Sequence, residues 1–588
     1  MGKLFNSVIN SRLTLYLSAT NKLSQFQAAF RQQHNAVDHI FTLKSIINKY
    51  VTFGKNKVYA AFVDFKKAFD SVPHNLLLLK LLLLGIGGNF YQIIKNMYSG
   101  KCQTYVKTQE GISKPFVTKV GIKQGDNLSP TLFNIFIDDI VSYFHSSEKH
   151  NVNLNGTDVK CLMYADDLII LASSHTQLQQ YLNNLNTYCM DWGLSINTKK
   201  TKIMIFQKRN RDDHCTFHFG NKPLEIVQLY KYLGITFQQN GRFKHAMEDL
   251  KNRSNKAMFK LSSILENASV RDSKLWLKMF DCTLRPILTY GCQVWSQEML
   301  HVLSKPKLSL HDNFPFEKLH YRYVTYLLGV NRHTHSLTAR AEVGRYPLSI
   351  YMFSQTIKYW ASTLGQQGKL AHAALMEDIK LHVAGHGTLT SIVHFIYKSA
   401  YDQDVLTHYD PHVSRPNQLK LKCEKYLQGQ YQTCFYDQQN RDEVSHRLKS
   451  YIDIKQDYTT ETYLLLRMPL NITRPISRLR LSDHDLHVET GRYNKPKKTP
   501  FENRTCLHCR TTIEDQLHFM TTCPLYDKDR QELEAVYRRN HPDVTAKSNE
   551  HKYKLYIQPD SIAQTIATSK FIYNALNERK RRFLAYTT

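Results

Sequence analysis

Two apolar runs that end in or enclose acids limit the folds open to this chain more than any other feature. Residues 59–65 run apolar into Asp64, and residues 162–171 carry Asp166 and Asp167 in their middle. A buried, unpaired carboxylate is expensive, so such acids sit exposed at a turn, pair with a cation or coordinate a metal. Residues 159–171 read as two strands joined at 164–167, and adjacent acids at a hairpin tip are, taken alone, most simply a solvated turn.

A third acid at another strand end changes the weighing. Hard oxygen ligands on rigid strand ends suit magnesium, which keeps waters and takes few carboxylates beside substrate phosphates. In nucleotide polymerisation one such ion activates a 3′ hydroxyl and a second, roughly 4 Å away, steadies the triphosphate. Asp64, Asp166 and Asp167 could supply that site.

The surrounding pattern implies an α+β unit. Residues up to about 50 show helical spacing at Ile40, Leu43, Ile46 and Ile47. Residues 76–84 are the most apolar run, but Lys80 interrupts them and the run is far short of the roughly 20 residues that span a bilayer, so a buried helix is expected and no membrane partner. Residues 119–124 lead through Gly125 and Pro130 into an apolar helix over 132–140, with further strands over 202–206 and 231–237. Strands and helices in this order do not alternate as in a doubly wound sheet.

At 588 residues the chain needs two to four packed units. Residues 241–480 read as mostly helical. A basic linker over 495–500 precedes a cysteine cluster, and a last helix carries Arg579, Lys580, Arg581 and Arg582. Lys plus Arg outnumber Asp plus Glu by 78 to 50, a net charge of +28 that suits a polyanionic partner. The 11 cysteines lack disulfide-like spacing and the first 16 residues lack a signal-peptide pattern, so an intracellular, reducing setting is expected.

Three segments in order carry a resemblance. Phe62-Val63-Asp64-Phe65-Lys66-Lys67-Ala68-Phe69-Asp70, Gly121-Ile122-Lys123-Gln124-Gly125-Asp126-Asn127-Leu128-Ser129-Pro130 and Tyr164-Ala165-Asp166-Asp167 resemble motifs A, B and C of reverse transcriptases from non-LTR (LINE-type) retrotransposons. Gly193-Leu194-Ser195-Ile196-Asn197 with Lys200-Thr201-Lys202 is similar to motif D, and Tyr232-Leu233-Gly234 to motif E, the primer grip. Gln27-Ala28-Ala29-Phe30-Arg31 with Asp38-His39 resembles the fingers segment usually written QAGFR…D, with Ala29 in place of the usual glycine.

The resemblance implies a right-hand polymerase fold of fingers, palm and thumb, followed by a mostly helical region and a small zinc-knuckle domain. It implies Mg2+ or Mn2+ on Asp64, Asp166 and Asp167, with Lys200 as the acid that protonates pyrophosphate. Arg31, Phe65, Phe69, Gln124 and Gly125 would bind the nucleotide, Phe69 as the gate against a 2′ hydroxyl. RNA template, DNA primer or target and dNTPs are the implied partners, in a nuclear or cytoplasmic ribonucleoprotein; the oligomeric state is left open. Read by the residues alone, Phe69 is equally a helix-core ring and Lys200 a solvated charge.

Cys506, Cys509, His518 and Cys523 follow C-x2-C-x8-H-x4-C, three thiolates and an imidazole able to close a tetrahedral zinc site. His508 reads as a bystander. Arg480, His484, Glu489, Gly491 and Arg492 are similar to the segment before this motif in the same elements, and Lys495, Lys497, Lys498, Arg504 and Arg510 would face phosphates. Pro286, Tyr290-Gly291, Trp295, Glu342, Gly344 and Pro347 read as structural. The expected division is fingers and palm over 1–240, thumb and connector over 241–390, helical linker over 391–494, zinc knuckle over 495–530 and basic helical tail over 531–588. No endonuclease and no earlier fingers motifs are readable, which keeps two alternatives open: a retroelement remnant that binds RNA or DNA without polymerising, and a maturase-like splicing factor.

Overall fold

The computed structural model describes residues 2–98, 103–145, 151–209, 215–268, 270, 272–304, 308–401, 415–440, 446–493 and 498–587. Lys495 and Lys497 lie outside them. The chain forms two compact units. The first comprises Met1–Ala246, Gly291–Leu300 and Gln355–Lys420; the second comprises Met247–Tyr290, His301–Ser354 and Leu421–Thr588. The stretch expected as thumb and connector, 241–390, is thus divided between them.

The first unit is built on a six-stranded sheet. Its strands are β1 (Val58–Val63), β2 (Cys161–Tyr164), β3 (Asp167–Ala172), β4 (Lys202–Phe206), β5 (Phe217–Phe219) and β6 (Lys222–Ile226), in the order β5-β6-β4-β1-β3-β2. The pairs β4–β1, β1–β3 and β3–β2 are antiparallel, whereas β4 and β6 pair in parallel. Ala61, Val63, Leu168, Ile170, Ile203 and Ile205 point into one core with the helices His74–Leu83, Ser129–Ile137 and His175–Trp192. Their neighbours Ala60, Phe62, Ile169, Leu171 and Met204 are also buried. Burial of both faces explains why β1 and β3 are apolar without alternation.

Lys80 explains itself once the helix His74–Leu83 is placed. It is 4% exposed, its Nζ pairs with Asp139 and lies 3.4 Å from the Trp192 ring centroid. An ion pair and an aromatic face satisfy the charge inside the core. The expected strand over 231–237 is instead a hairpin, β7 (Leu229–Tyr232) and β8 (Ile235–Gln238), because Leu233 and Gly234 are both left-handed, at φ 44° and 84°. Two consecutive positive φ values make the tight turn that matches strand twist.

Helices from late in the chain return to this unit. Leu370–Val383 packs on Ala36–Ile47, the Tyr359 hydroxyl donates to Asp38 at 3.1 Å, and Lys49 pairs with Glu377 at 3.1 Å. Nothing local in 355–420 announces that return.

The second unit is helical around a buried ion pair. Arg480 donates to Glu342 at 2.7 and 3.2 Å, and the Tyr451 and Tyr463 hydroxyls donate to the same carboxylate at 2.6 and 2.5 Å. Gly344, at φ 60°, passes so close to Thr459 and Thr460 that a β-carbon would meet backbone at 2.5 Å. Of the basic residues expected to face phosphate, Arg504 is turned inward, and so is Arg579 of the last helix. Arg504 is buried and donates to the carbonyls of Thr499 and Val488, both at 2.9 Å, while Arg579 makes a double bond pair to Glu514 at 2.7 Å. Each supplies donors to buried acceptors that water cannot reach. Lys498, Arg510, Lys580, Arg581 and Arg582 are exposed. Among the described residues no helix is long and apolar enough to cross a membrane.

Candidate active site

Antiparallel register brings the acids together. Val63 pairs with Leu168, so the next position along places Asp64 opposite Asp167 on the adjacent strand. Directly opposed residues have β-carbons about 4.5–5.5 Å apart. Tyr164 pairs with Asp167 on the other side, leaving Ala165 and Asp166 as a two-residue turn. By alternation Asp64 and Asp167 leave the sheet on the face of Phe62, where the Tyr230 ring of β7 stacks on Phe62 at 4.2 Å.

The segment after Gly193 is tied to Asp64 through the backbone. Asp64 N–H donates to the Thr201 hydroxyl at 3.1 Å, Asn197 N–H donates to the Asp64 carbonyl at 2.8 Å, and Lys66 N–H donates to the Ser195 carbonyl at 2.8 Å. Lys200, inside this turn, is exposed.

Asp64 is half-buried; Asp166 and Asp167 reach solvent. Among the described residues no lysine or arginine pairs with any of the three. Asp167 therefore feels its surroundings unrelieved: burial first, then the charges of Asp166 and Asp64, push its carboxyl up to about 6. The same acids act on the hairpin above them. Burial and then Asp167 and Asp64 push the Tyr230 phenol up to about 12, and burial with Asp167 drives Tyr232 well above its usual range. The Tyr232 hydroxyl is buried without a hydrogen-bond partner. Three carboxylates at adjoining strand ends, with no lysine or arginine paired to them among the described residues, supply the donor type of a divalent-ion site, although their oxygens do not all lie within 4.8 Å of one another.

Phe65 is buried beside Ile196, and Phe69 is half-buried, stacked on Phe133 at 4.5 Å. The loop before Ser129–Ile137 lies against the turn that holds Phe69. Ile122 N–H donates to the Phe69 carbonyl at 2.9 Å, and Gln124 Nε2 donates to Asp70 at 2.9 Å. Glycine is required at 121, where φ is +90° and a β-carbon would sit 3.0 Å from the Asp70 carbonyl oxygen. At Gly125, φ +80°, nothing lies within 4 Å of that position. That backbone is open to close approach by another molecule.

Arg31 is placed differently from these residues. Its Nη1 donates to the carbonyls of Ser24 and Gln27 at 2.5 and 2.8 Å. It lines a cavity of about 520 Å³ with His34, Thr131, Asn134 and Lys369, and none of the three aspartates lines that cavity. Tyr230 and Thr201 are the contributors that reading by residue type passed over. Tyr230 gave a signal only in lying two positions before Tyr232.

A second donor set lies in the second unit. Cys506, Cys509 and His518 present ligand atoms all within 4.8 Å of one another, the one such group among the described residues. Cys509 Sγ is 3.4 Å from His518 Nε2, and Cys506 Sγ is 3.9 Å from Cys523 Sγ. The latter is nearly twice the ~2.05 Å of a disulfide. It matches the roughly 3.8 Å between thiolates sharing a tetrahedral zinc, and 3.4 Å is close to the roughly 3.5 Å expected for a sulfur and an imidazole nitrogen. His518 Nδ1 lies 2.9 Å from both the Thr512 and Thr522 hydroxyls, which leaves Nε2 for a metal. His508 is exposed, outside the group.

The site is thus a mixed sheet with two opposed strand-end aspartates, a third on the turn between strands, and a hairpin whose Tyr230 stacks on Phe62. Residues 1–237 match the family model described as reverse transcriptase (RNA-dependent DNA polymerase). The chain is homologous to RNA-directed DNA polymerases of non-LTR retrotransposons. It is 27% identical over 307 residues to the RNA-directed DNA polymerase from mobile element jockey of Drosophila melanogaster, covering 50% of this chain and 32% of that protein. Identity is 27% over 311 residues with the probable RNA-directed DNA polymerase from transposon BS of the same fly, with the same coverage. The chain thus spans about a third of the length of these curated relatives. A structure of apo telomerase from Candida tropicalis aligns with TM-score 0.33 at 13% identity over 71% of this chain and 60% of that one.

Proposed function

We propose that this chain is an RNA-directed DNA polymerase of a non-LTR retrotransposon, extending a DNA primer on an RNA template with dNTPs. The observation that carries the reading is the register of β1 and β3, which opposes Asp64 and Asp167 with no lysine or arginine paired to them among the described residues, inside the stretch that matches the reverse transcriptase family model. Asp64, Asp166 and Asp167 would hold Mg2+ or Mn2+, which when bound supplies charge neutralisation for the triphosphate and acidifies the primer hydroxyl.

The chain's own residues then orient the reactants. The Gln124–Gly125 backbone leaves room for the incoming nucleotide, and Phe69, held flat by Phe133, lies under the sugar and excludes a 2′ hydroxyl. Tyr232, Leu233 and Gly234 hold the primer end beside Asp167. Lys200 donates a proton to departing pyrophosphate from its exposed turn. Arg31, with Nη1 committed to two carbonyls, reaches a phosphate through its remaining nitrogens. Cys506, Cys509, His518 and Cys523 bind one zinc that holds the knuckle together. The particle acts inside the cell, nuclear or cytoplasmic, as a ribonucleoprotein.

Purified protein is expected to extend a primer on RNA in magnesium, and the double variant Asp166→Asn, Asp167→Asn to lose extension by about 1000-fold or more. Undiminished extension in that variant overturns the assignment. Salt-sensitive RNA binding by a wild-type chain that never extends a primer points instead to a binding remnant.

A further inference from the structure

Gln27 is buried beside the carboxylate turn and takes no part in the site as described above. Gln27 makes an isolated parallel bridge to Met163 of β2. Met163 N–H donates to the Phe26 carbonyl at 2.8 Å, and Ala28 N–H donates to the Met163 carbonyl at 3.0 Å. His39 Nε2 lies 3.1 and 2.9 Å from those same two carbonyl oxygens, so its N–H clamps the bridge.

The Gln27 side chain extends from this bridge to the turn. It is fully buried, and its Oε1 accepts from Ala165 N–H at 3.2 Å and from Ala29 N–H at 3.1 Å. Ala165 opens the turn at φ +56°, a left-handed conformation that a β-carbon disfavours. Something must therefore hold it there. Gln27 Nε2 is buried with no partner, so the amide is kept at the cost of an unsatisfied donor. Its acceptor is the part in use.

We infer that Gln27 is a positioning residue for the metal-binding turn: its Oε1 pins Ala165 and so sets Asp166 and Asp167 against Asp64. The inference rests on the polymerase reading. Without the acceptor, two buried N–H groups are orphaned and the turn relaxes toward an unstrained conformation. A displacement of about 1 Å at reacting groups costs on the order of 100-fold in rate.

The test uses the full chain with Gln27→Met, which keeps the volume and removes the acceptor, and Gln27→Glu, which keeps an oxygen in place. For Gln27→Met the expected result is a kcat about 10- to 100-fold lower with dNTP KM changed by less than about 2-fold, and a higher magnesium concentration for half-maximal rate. Amide exchange across residues 163–167 should quicken in Gln27→Met, and Gln27→Glu should recover most of both losses. Wild-type exchange and kcat in Gln27→Met, or equal damage in the two variants, overturns the inference. If the wild type extends no primer, the polymerase reading has failed, and exchange decides alone: faster in Gln27→Met than in Gln27→Glu supports the pin, and equal rates refute it. Should Gln27→Met fail to fold, Gln27→Asn, which withdraws the oxygen by one methylene, takes its place in every comparison.

Discussion

Replacing Asp167 by Asn is expected to stabilise the metal-free protein. Burial, with Asp166 and Asp64 adding to it, raises this carboxyl to about 6 from an ordinary value of 3.8. A shift of that size corresponds to roughly 3 kcal/mol at 1.36 kcal/mol for each unit. The side chain reaches solvent, which screens the repulsion, so about 1 kcal/mol is the working magnitude. The sign follows from proton binding. An acid with a raised folded-state pKa holds its proton more tightly folded than unfolded, so ionising it costs stability: the penalty is absent below about pH 4 and complete above about pH 6. Asn carries no charge to repel. The variant should therefore unfold about 1–3 °C higher than wild type near pH 7.5 in EDTA, with the gap closing as pH falls through 6 toward 4. Magnesium should raise the wild-type midpoint and leave the variant's nearly unmoved, because a ligand stabilises only the form that binds it. Differential scanning calorimetry across that pH range, with and without magnesium, reads all three effects. A variant less stable than wild type in EDTA at pH 7.5, or a gap independent of pH, would refute the reasoning.

Glu342→Ala should destabilise the second unit by roughly 3 kcal/mol, since it leaves the buried Arg480 charge with Glu461 as its one remaining carboxylate partner among the described residues, and the urea midpoint should fall accordingly. Glu342→Gln should cost less, because its amide oxygen still accepts from one of the Tyr451 and Tyr463 hydroxyls and the side-chain volume is kept. Phe69→Val should lower discrimination against ribonucleotides by roughly tenfold or more in single-nucleotide extension, with dNTP use largely kept. Metal analysis should find about one zinc per wild-type chain and none in Cys509→Ser, whose thermal midpoint should be lower.

Much of the site was legible because its signal is local. An apolar run that stops at Asp64 and another broken by Asp166 and Asp167 could be read as strand ends bearing acids, and the C-x2-C-x8-H-x4-C spacing as one ligand group. Strand geometry and ligand spacing are short-range properties. Lys80 and the run over 231–237 show where local reading fails. The charge of Lys80 is satisfied by Asp139 and Trp192, far along the chain, and the hairpin at Leu233 depends on a left-handed leucine that propensity disfavours. The expectation for Arg504 failed for the same reason, since a basic residue looks alike in sequence whether it meets phosphate or a buried carbonyl.

By itself the sequence determined the residue types at the strand ends, the order of the segments and the spacing of the late cysteines and histidine. Only the tertiary structure decided that Asp64 stands opposite Asp167, that Tyr230 covers them, that residues 355–420 return to the first unit and that Gln27 reaches the Ala165 turn. Those four are pairings between distant residues, chosen by sheet register and burial of the whole chain, and no window of local sequence contains the energy that selects them.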